Sequence, residues 1–109
     1  MRRGDVVTVA APGDFGKPRP AVVIQSDVIN EAQPGSVIVA LVTSTLRDAP
    51  LLRLQLEPTE QNGLQQPSQI MVDKLFTTRA DKVGKVIGRL SDQELVALNR
   101  LLAFVIGIA

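Results

Sequence analysis

Residues 90–107 read LSDQELVALNRLLAFVIG, the one stretch of this 109-residue chain whose apolar side chains recur at helical spacing. Leu95, Leu98, Leu102 and Val105 fall on a single stripe. Ser91 stands three residues before Glu94, the arrangement in which each side chain satisfies the other's free backbone N–H at a helix start. Leu90 and Leu95 are spaced to pack across that start, and Gly107 suits a helix stop. The spacing predicts one helix over the last ~18 residues.

Everything upstream has a shorter rhythm. Val6–Ala11 reads as a strand closed by Pro12-Gly13, followed by a loop from Asp14 to Pro18. Pro20–Ser26 reads as a second, largely buried strand, and Pro34-Gly35 as a turn within residues 30–36. Val37–Thr43 is a β-branched apolar run that belongs in the core. Leu52, Leu54 and Leu56 alternate with Arg53, Gln55 and Glu57, a strand with one wet face. Asn62-Gly63 marks another turn, and Ser68–Phe76 and Lys85–Arg89 read as the last two strands. Short strands ahead of one terminal helix predict a mainly β (β+α) chain, forming one domain over residues 1–109. The strands would make a small, strongly curved sheet or open barrel, with the helix covering one opening or face.

Composition narrows the chemistry. The chain holds no Cys and no His. Thiolate metal sites, thiol nucleophiles and the usual acid–base residue are therefore excluded. Catalysis here must use Arg, Lys, Asp, Glu, Ser or Thr. The formal net charge is +1, so affinity for a polyanion has to come from a local cluster or from two protomers combined. Hydrophobic residues make up 45% of the chain and mean hydropathy is +0.17. A domain this small cannot hide all of that surface, so burial against a second copy is expected. The opening MRRGDVV lacks a long apolar core, and no run is long enough to span a bilayer; a cytoplasmic protein with no membrane association is expected.

Five places carry candidate chemistry. Arg19 lies between Pro18 and Pro20, and each proline fixes its own φ and pushes the residue before it toward extended geometry. It reads either as a solvent-facing charge paired with Asp14 or Asp27, or as a guanidinium pre-set to hold a phosphate or carboxylate through its planar fork. Thr43-Ser44-Thr45 ends a core strand; its hydroxyls either form a local turn or hydrogen-bond a phosphate oxygen. Asp73, by strict alternation, shares a face with Met71 and Leu75 while Lys74 faces the other way. A carboxylate among apolar neighbours needs a partner, and Arg19 or Lys17 is the expected one, whether the pair is structural or catalytic. Phe15 either stacks on a base or plugs the barrel mouth. Lys82, Lys85 and Arg89 form either a basic strip or an ordinary solvated edge.

Taken in order, these segments resemble the MazF/PemK family of toxin endoribonucleases from bacterial toxin–antitoxin pairs. The likeness rests on Arg3-Gly4-Asp5-Val6-Val7, on Pro12-Gly13 through Gly16-Lys17-Pro18-Arg19-Pro20-Ala21-Val22-Val23-Ile24, and on Val39 through Thr43-Ser44-Thr45. Gln69-Ile70-Met71-Val72-Asp73-Lys74-Leu75 and Gly88-Arg89-Leu90-Ser91 with the helix extend it over nearly the whole chain. The resemblance implies a small SH3-like barrel of five to seven strands with a C-terminal helix, assembled as a homodimer. It also implies cleavage of single-stranded RNA without metal or other cofactor, and a cognate antitoxin that threads across the RNA groove. By the same likeness Arg19, Thr43 and Asp73 are the catalytic positions, with Ser44 beside Thr43; Asp14, Phe15, Lys17, Ser44 and Lys74 are expected to contact RNA. Some members carry Glu and His in a longer loop before the Arg-Pro pair, and some carry Arg where this chain has Met71. The general base is thus either Asp73 or Asp14. The CcdB gyrase poisons share the barrel-plus-helix plan and an apolar Gly-Ile ending like Gly107-Ile108, which makes a non-enzymatic toxin the alternative. A proline-reading SH3 adaptor is disfavoured, because no Trp or Tyr is present to line its groove.

Overall fold

The computed structural model describes residues 1–10, 13 and 16–109. Six strands occur in it: β1 (Asp5–Ala10), β2 (Pro18–Val23), β3 (Ser36–Thr43), β4 (Arg53–Leu56), β5 (Ser68–Arg79) and β6 (Val83–Arg89). They form one antiparallel sheet in the order β4-β5-β3-β2-β1-β6, with β4 and β6 as unjoined edges. The sheet is therefore not a closed barrel, in keeping with the open alternative read from the strands.

The terminal helix, α2 (Asp92–Ile106), starts and stops where the sequence places it. Ser91 Oγ accepts from Glu94 N–H at 3.1 Å, and Glu94 Oε1 accepts from Ser91 N–H at 2.8 Å. Gly107 closes the helix in the left-handed region at φ 83°. The predicted stripe faces inward: Leu98 is fully buried and Leu95, Leu102 and Val105 pack partly buried beside it. The helix packs chiefly against β4 and β5.

Alternation along β1, β2 and β3 sends side chains to two apolar layers. Val6, Val22, Ala40 and Val42 join Leu56, Ile70, Val72 and the α2 leucines on one face. Val7, Val9, Ala21, Val23, Val37 and Val39 fill the other. Burial on both faces explains why these strands read as continuous apolar runs rather than as alternating ones.

Two features depart from the sequence reading. A one-turn helix, α1 (Asp27–Glu31), follows β2, capped by Ser26 Oγ accepting from Val28 N–H. Its Val28 and Ile29 are exposed, so it carries no inward stripe for periodicity to detect. Strand β5 runs three residues past Phe76 and is broken midway. Ala40 pairs with Leu75 and Val42 with Ile70, so Leu41 alone stands opposite four β5 residues, Met71 to Lys74. Before the bulge β5 pairs with both β3 and β4, and beyond it with β3 alone.

Candidate functional site

Strands β2 and β3 pair only from Ala21–Leu41 to Val23–Val39. Pro18 and Pro20 pair with β1 on the other side, and having no N–H they cannot extend the ladder toward β3. The two strands part there. Counting the register two residues further sets Arg19 across from Thr43. The parted ends form a cleft of about 700 Å³. It is lined by residues 17–20 of β2 and its approach, residues 42–45 at the end of β3, and residues 63–66 of the β4–β5 loop, with Ser68 and Ile87 completing it.

The cleft brings Lys17, Arg19, Thr43 and Ser44 together, four of the predicted site residues. Among its described lining residues Lys17 and Arg19 are cations and none is a carboxylate. Arg19 is half-buried, its backbone held in β2 opposite Val9. Thr43 Oγ1 accepts the Thr45 N–H at 3.1 Å, the local turn that hydroxyl residues favour. That bond uses an oxygen lone pair and leaves the hydroxyl proton free to donate, so the turn fixes the donor instead of consuming it.

Asp73 stands elsewhere. It lies in the β5 bulge, does not line this cleft, and pairs with the adjacent Lys74 at 3.0 Å. The expected partnership with Arg19 or Lys17 is corrected: the bulge breaks the alternation that would have turned Lys74 to the opposite face. Asp27 is not the partner of Arg19 either; it accepts the Arg3 N–H at 2.7 Å and the Asn30 Nδ2–H at 3.1 Å. These bonds, the backbone one foremost, hold its carboxyl below the usual aspartate range. Asp14 and Phe15 lie outside the described residues. Arg89 is no member of a basic strip, since it donates to Asp5 Oδ1 at 3.1 Å and to the Arg3 carbonyl.

Two supporting side chains went unread in the sequence. Buried Gln69 accepts the Arg47 N–H and gives its amide proton to the Arg47 carbonyl, pinning the loop that leaves Thr45; Arg53 reinforces it through the Thr45 carbonyl. Asn62, fully buried, bonds Thr59 N–H, Leu64 N–H and the Glu57 carbonyl, which locks the β4–β5 loop. Asn62-Gly63 was legible as a turn, but its docking against β6 was not. A second groove, of about 650 Å³, runs beside Arg2, Gln25, Asp27 and Asn30. Its central amides already satisfy one another, and none of the predicted site residues lines it. Among the described residues no cluster of three His, Cys, Asp or Glu could hold a metal ion.

An open six-stranded antiparallel sheet with a packed C-terminal helix and a cleft between parted strands defines a small β+α domain. Over residues 2–106 the chain matches the model of the PemK-like, MazF-like toxins of type II toxin–antitoxin systems, and it belongs to that family. It is 42% identical to the probable endoribonuclease MazF of Mycolicibacterium smegmatis, over all of this chain and 99% of that one. Its fold is that of an endoribonuclease solved in complex with its cognate antitoxin from a mycobacterial species (TM-score 0.84, 19% identity, 100% and 97% of the two chains). The Mycobacterium tuberculosis toxin MazF-mt6 shares it too (TM-score 0.82, 22% identity, 96% and 98% of the two chains). The family match decides between the two toxin likenesses read from the sequence.

Proposed function

We infer that this chain is the toxin of a type II toxin–antitoxin pair and an endoribonuclease that cuts single-stranded RNA at a short sequence, arresting translation and growth. The observation that carries the reading is the shared cleft of Arg19 and Thr43, in a chain of this family. The 2′-OH of RNA attacks the adjacent phosphorus; a new P–O2′ bond forms and the P–O5′ bond breaks. The 2′-OH proton passes to a base, a proton reaches the departing O5′, and the products are a 2′,3′-cyclic phosphate (or, once hydrolysed, a 3′-phosphate) and a 5′-hydroxyl. Arg19 neutralises the crowded phosphate, and its high pKa makes it a stabiliser rather than a proton donor. Thr43 donates to a non-bridging oxygen, with Lys17 and Ser44 on the flanking backbone.

The base is a carboxylate. Asp73 reaches the phosphate only if RNA, or a second subunit, bridges the distance from the β5 bulge; Asp14 stands three residues before Lys17 in the sequence, and Lys17 lines the cleft. The working unit is a homodimer held in check by a cognate antitoxin laid across the RNA groove. The exposed Val96, Phe104, Ile106 and Ile108 of α2 and its tail support association.

The test is incubation of the purified protein with a long RNA in EDTA, followed by mapping of the cut ends. Wild type should give 5′-hydroxyl ends at a recurrent sequence, and a folded Arg19→Ala should cut ~10²–10³ times more slowly. Equal rates would remove Arg19 from the mechanism.

A further inference from the structure

The third side of the cleft has no part in the chemistry above. Residues 63–66 enter it from the β4–β5 loop, and this loop is unusually well fixed for an exposed connection. Asn62 ties it internally through three bonds of 2.8 to 3.0 Å, and Gln61 accepts the Arg89 N–H at 2.7 Å. At Gly63, with φ 71°, a Cβ would strike the Ile87 carbonyl, and one at Gly88 would strike the Asn62 backbone. The two backbones therefore lie flush, and Leu64 is buried next in line.

After Leu64 the loop presents Gln65 and Gln66, both exposed, both lining the cleft. Among the described residues neither side-chain amide has a hydrogen-bond partner, whereas buried Gln69 and Gln25 are fully engaged within the protein. A rigid mount carrying two neutral, unengaged amides beside a phosphate-binding Arg and Thr is suited to reading, not to charge stabilisation. An amide shows a donor and an acceptor side by side, the complement of a base edge.

We propose that Gln65 and Gln66 are specificity-determining residues that hydrogen-bond the edge of a base next to the scissile phosphate. The inference rests on the endoribonuclease reading and names the part of that site which selects sequence. Phosphate contacts hold the strand in register; the glutamines supply discrimination. In a single strand the Watson–Crick edge is open to them.

The experiment compares wild type, Gln65→Ala, Gln66→Ala and the double variant on two substrates. The first is a long RNA with its cut ends mapped. The second is a set of short 2′-deoxy-substituted oligonucleotides, uncleavable, in which each base around the cut site is varied in turn and affinity is read by anisotropy. At least one alanine variant should lose preference at one defined position by roughly 10- to 100-fold in both readouts, with the loss in KM and kcat largely retained. Gln→Glu at that position should move the preference toward guanine, because a carboxylate only accepts and guanine shows two adjacent N–H donors. Variants that keep the wild-type motif and affinity ratios overturn the proposal, as does a loss confined to kcat with the motif unchanged. A wild-type protein that cuts no RNA and ignores base identity would instead bring down the nuclease reading, and this inference with it.

Discussion

Arg19 shows how much one side chain owes to its neighbours in sequence. The flanking prolines stiffen its backbone and stop the β2–β3 ladder at Ala21, which opens the cleft the guanidinium serves. Arg19→Lys keeps the charge but loses the planar fork, so kcat should recover only in part relative to Arg19→Ala, read on one defined oligonucleotide. The base is separated from it by two further variants. One of the two should lower kcat sharply with the other near wild type: a loss in Asp14→Asn assigns the base to the loop before Lys17, and a loss in Asp73→Asn assigns it to the β5 bulge or across a subunit boundary. Asp27 contributes to acid stability. Its bonds to Arg3 N–H and Asn30 favour the charged form, so its folded value lies below its unfolded one. The stabilisation is complete above the ordinary aspartate value of about 4 and fades as pH falls through the lowered value. Urea midpoints of wild type and Asp27→Asn, taken from about pH 6 to pH 2, should converge at the acid end. Arg19 was legible because its cause is local; the partner of Asp73 was not, because it depends on a bulge that strand alternation cannot reveal.

At the scale of elements, the β4–β5 loop matters more than its length suggests. Asn62→Ala removes the partner of three backbone groups at once, of which the Leu64 N–H is buried, and a buried group left unpaired costs about 1–3 kcal/mol. The urea midpoint should fall accordingly, and cleavage specificity should blur, since Gln65 and Gln66 lose their mount. An unchanged midpoint would show that water replaces the asparagine at no cost. The helix α2 behaves in the opposite way: its capping box, stripe and glycine stop are all spelled out within the segment, and the structure keeps every one. The helix α1 was missed for the same reason in reverse. It buries none of its residues, so nothing periodic marks it.

For the whole molecule, the surface that six strands and one long helix leave uncovered is the main consequence. Phe104 in the last turn of α2 is 55% exposed and Ile108 just beyond the helix 76%, in a chain of only 11.7 kDa. Light scattering at micromolar concentration should return twice the chain mass. A monomer at that concentration would count against a dimeric toxin and against any base supplied in trans. Among the described residues no helix is long and apolar enough to cross a membrane.

Local signals alone determined the helix with its caps, the strand count, the apolar core runs and the stiffened Arg19, because each depends on spacing within a few residues. The tertiary structure decided which residues meet. It set Arg19 across from Thr43 through a register, moved Asp73 away through a bulge, and seated two glutamines in the cleft through a loop flush against β6. Register, bulge and docking all arise between segments far apart in the chain, and only packing brings those segments into contact.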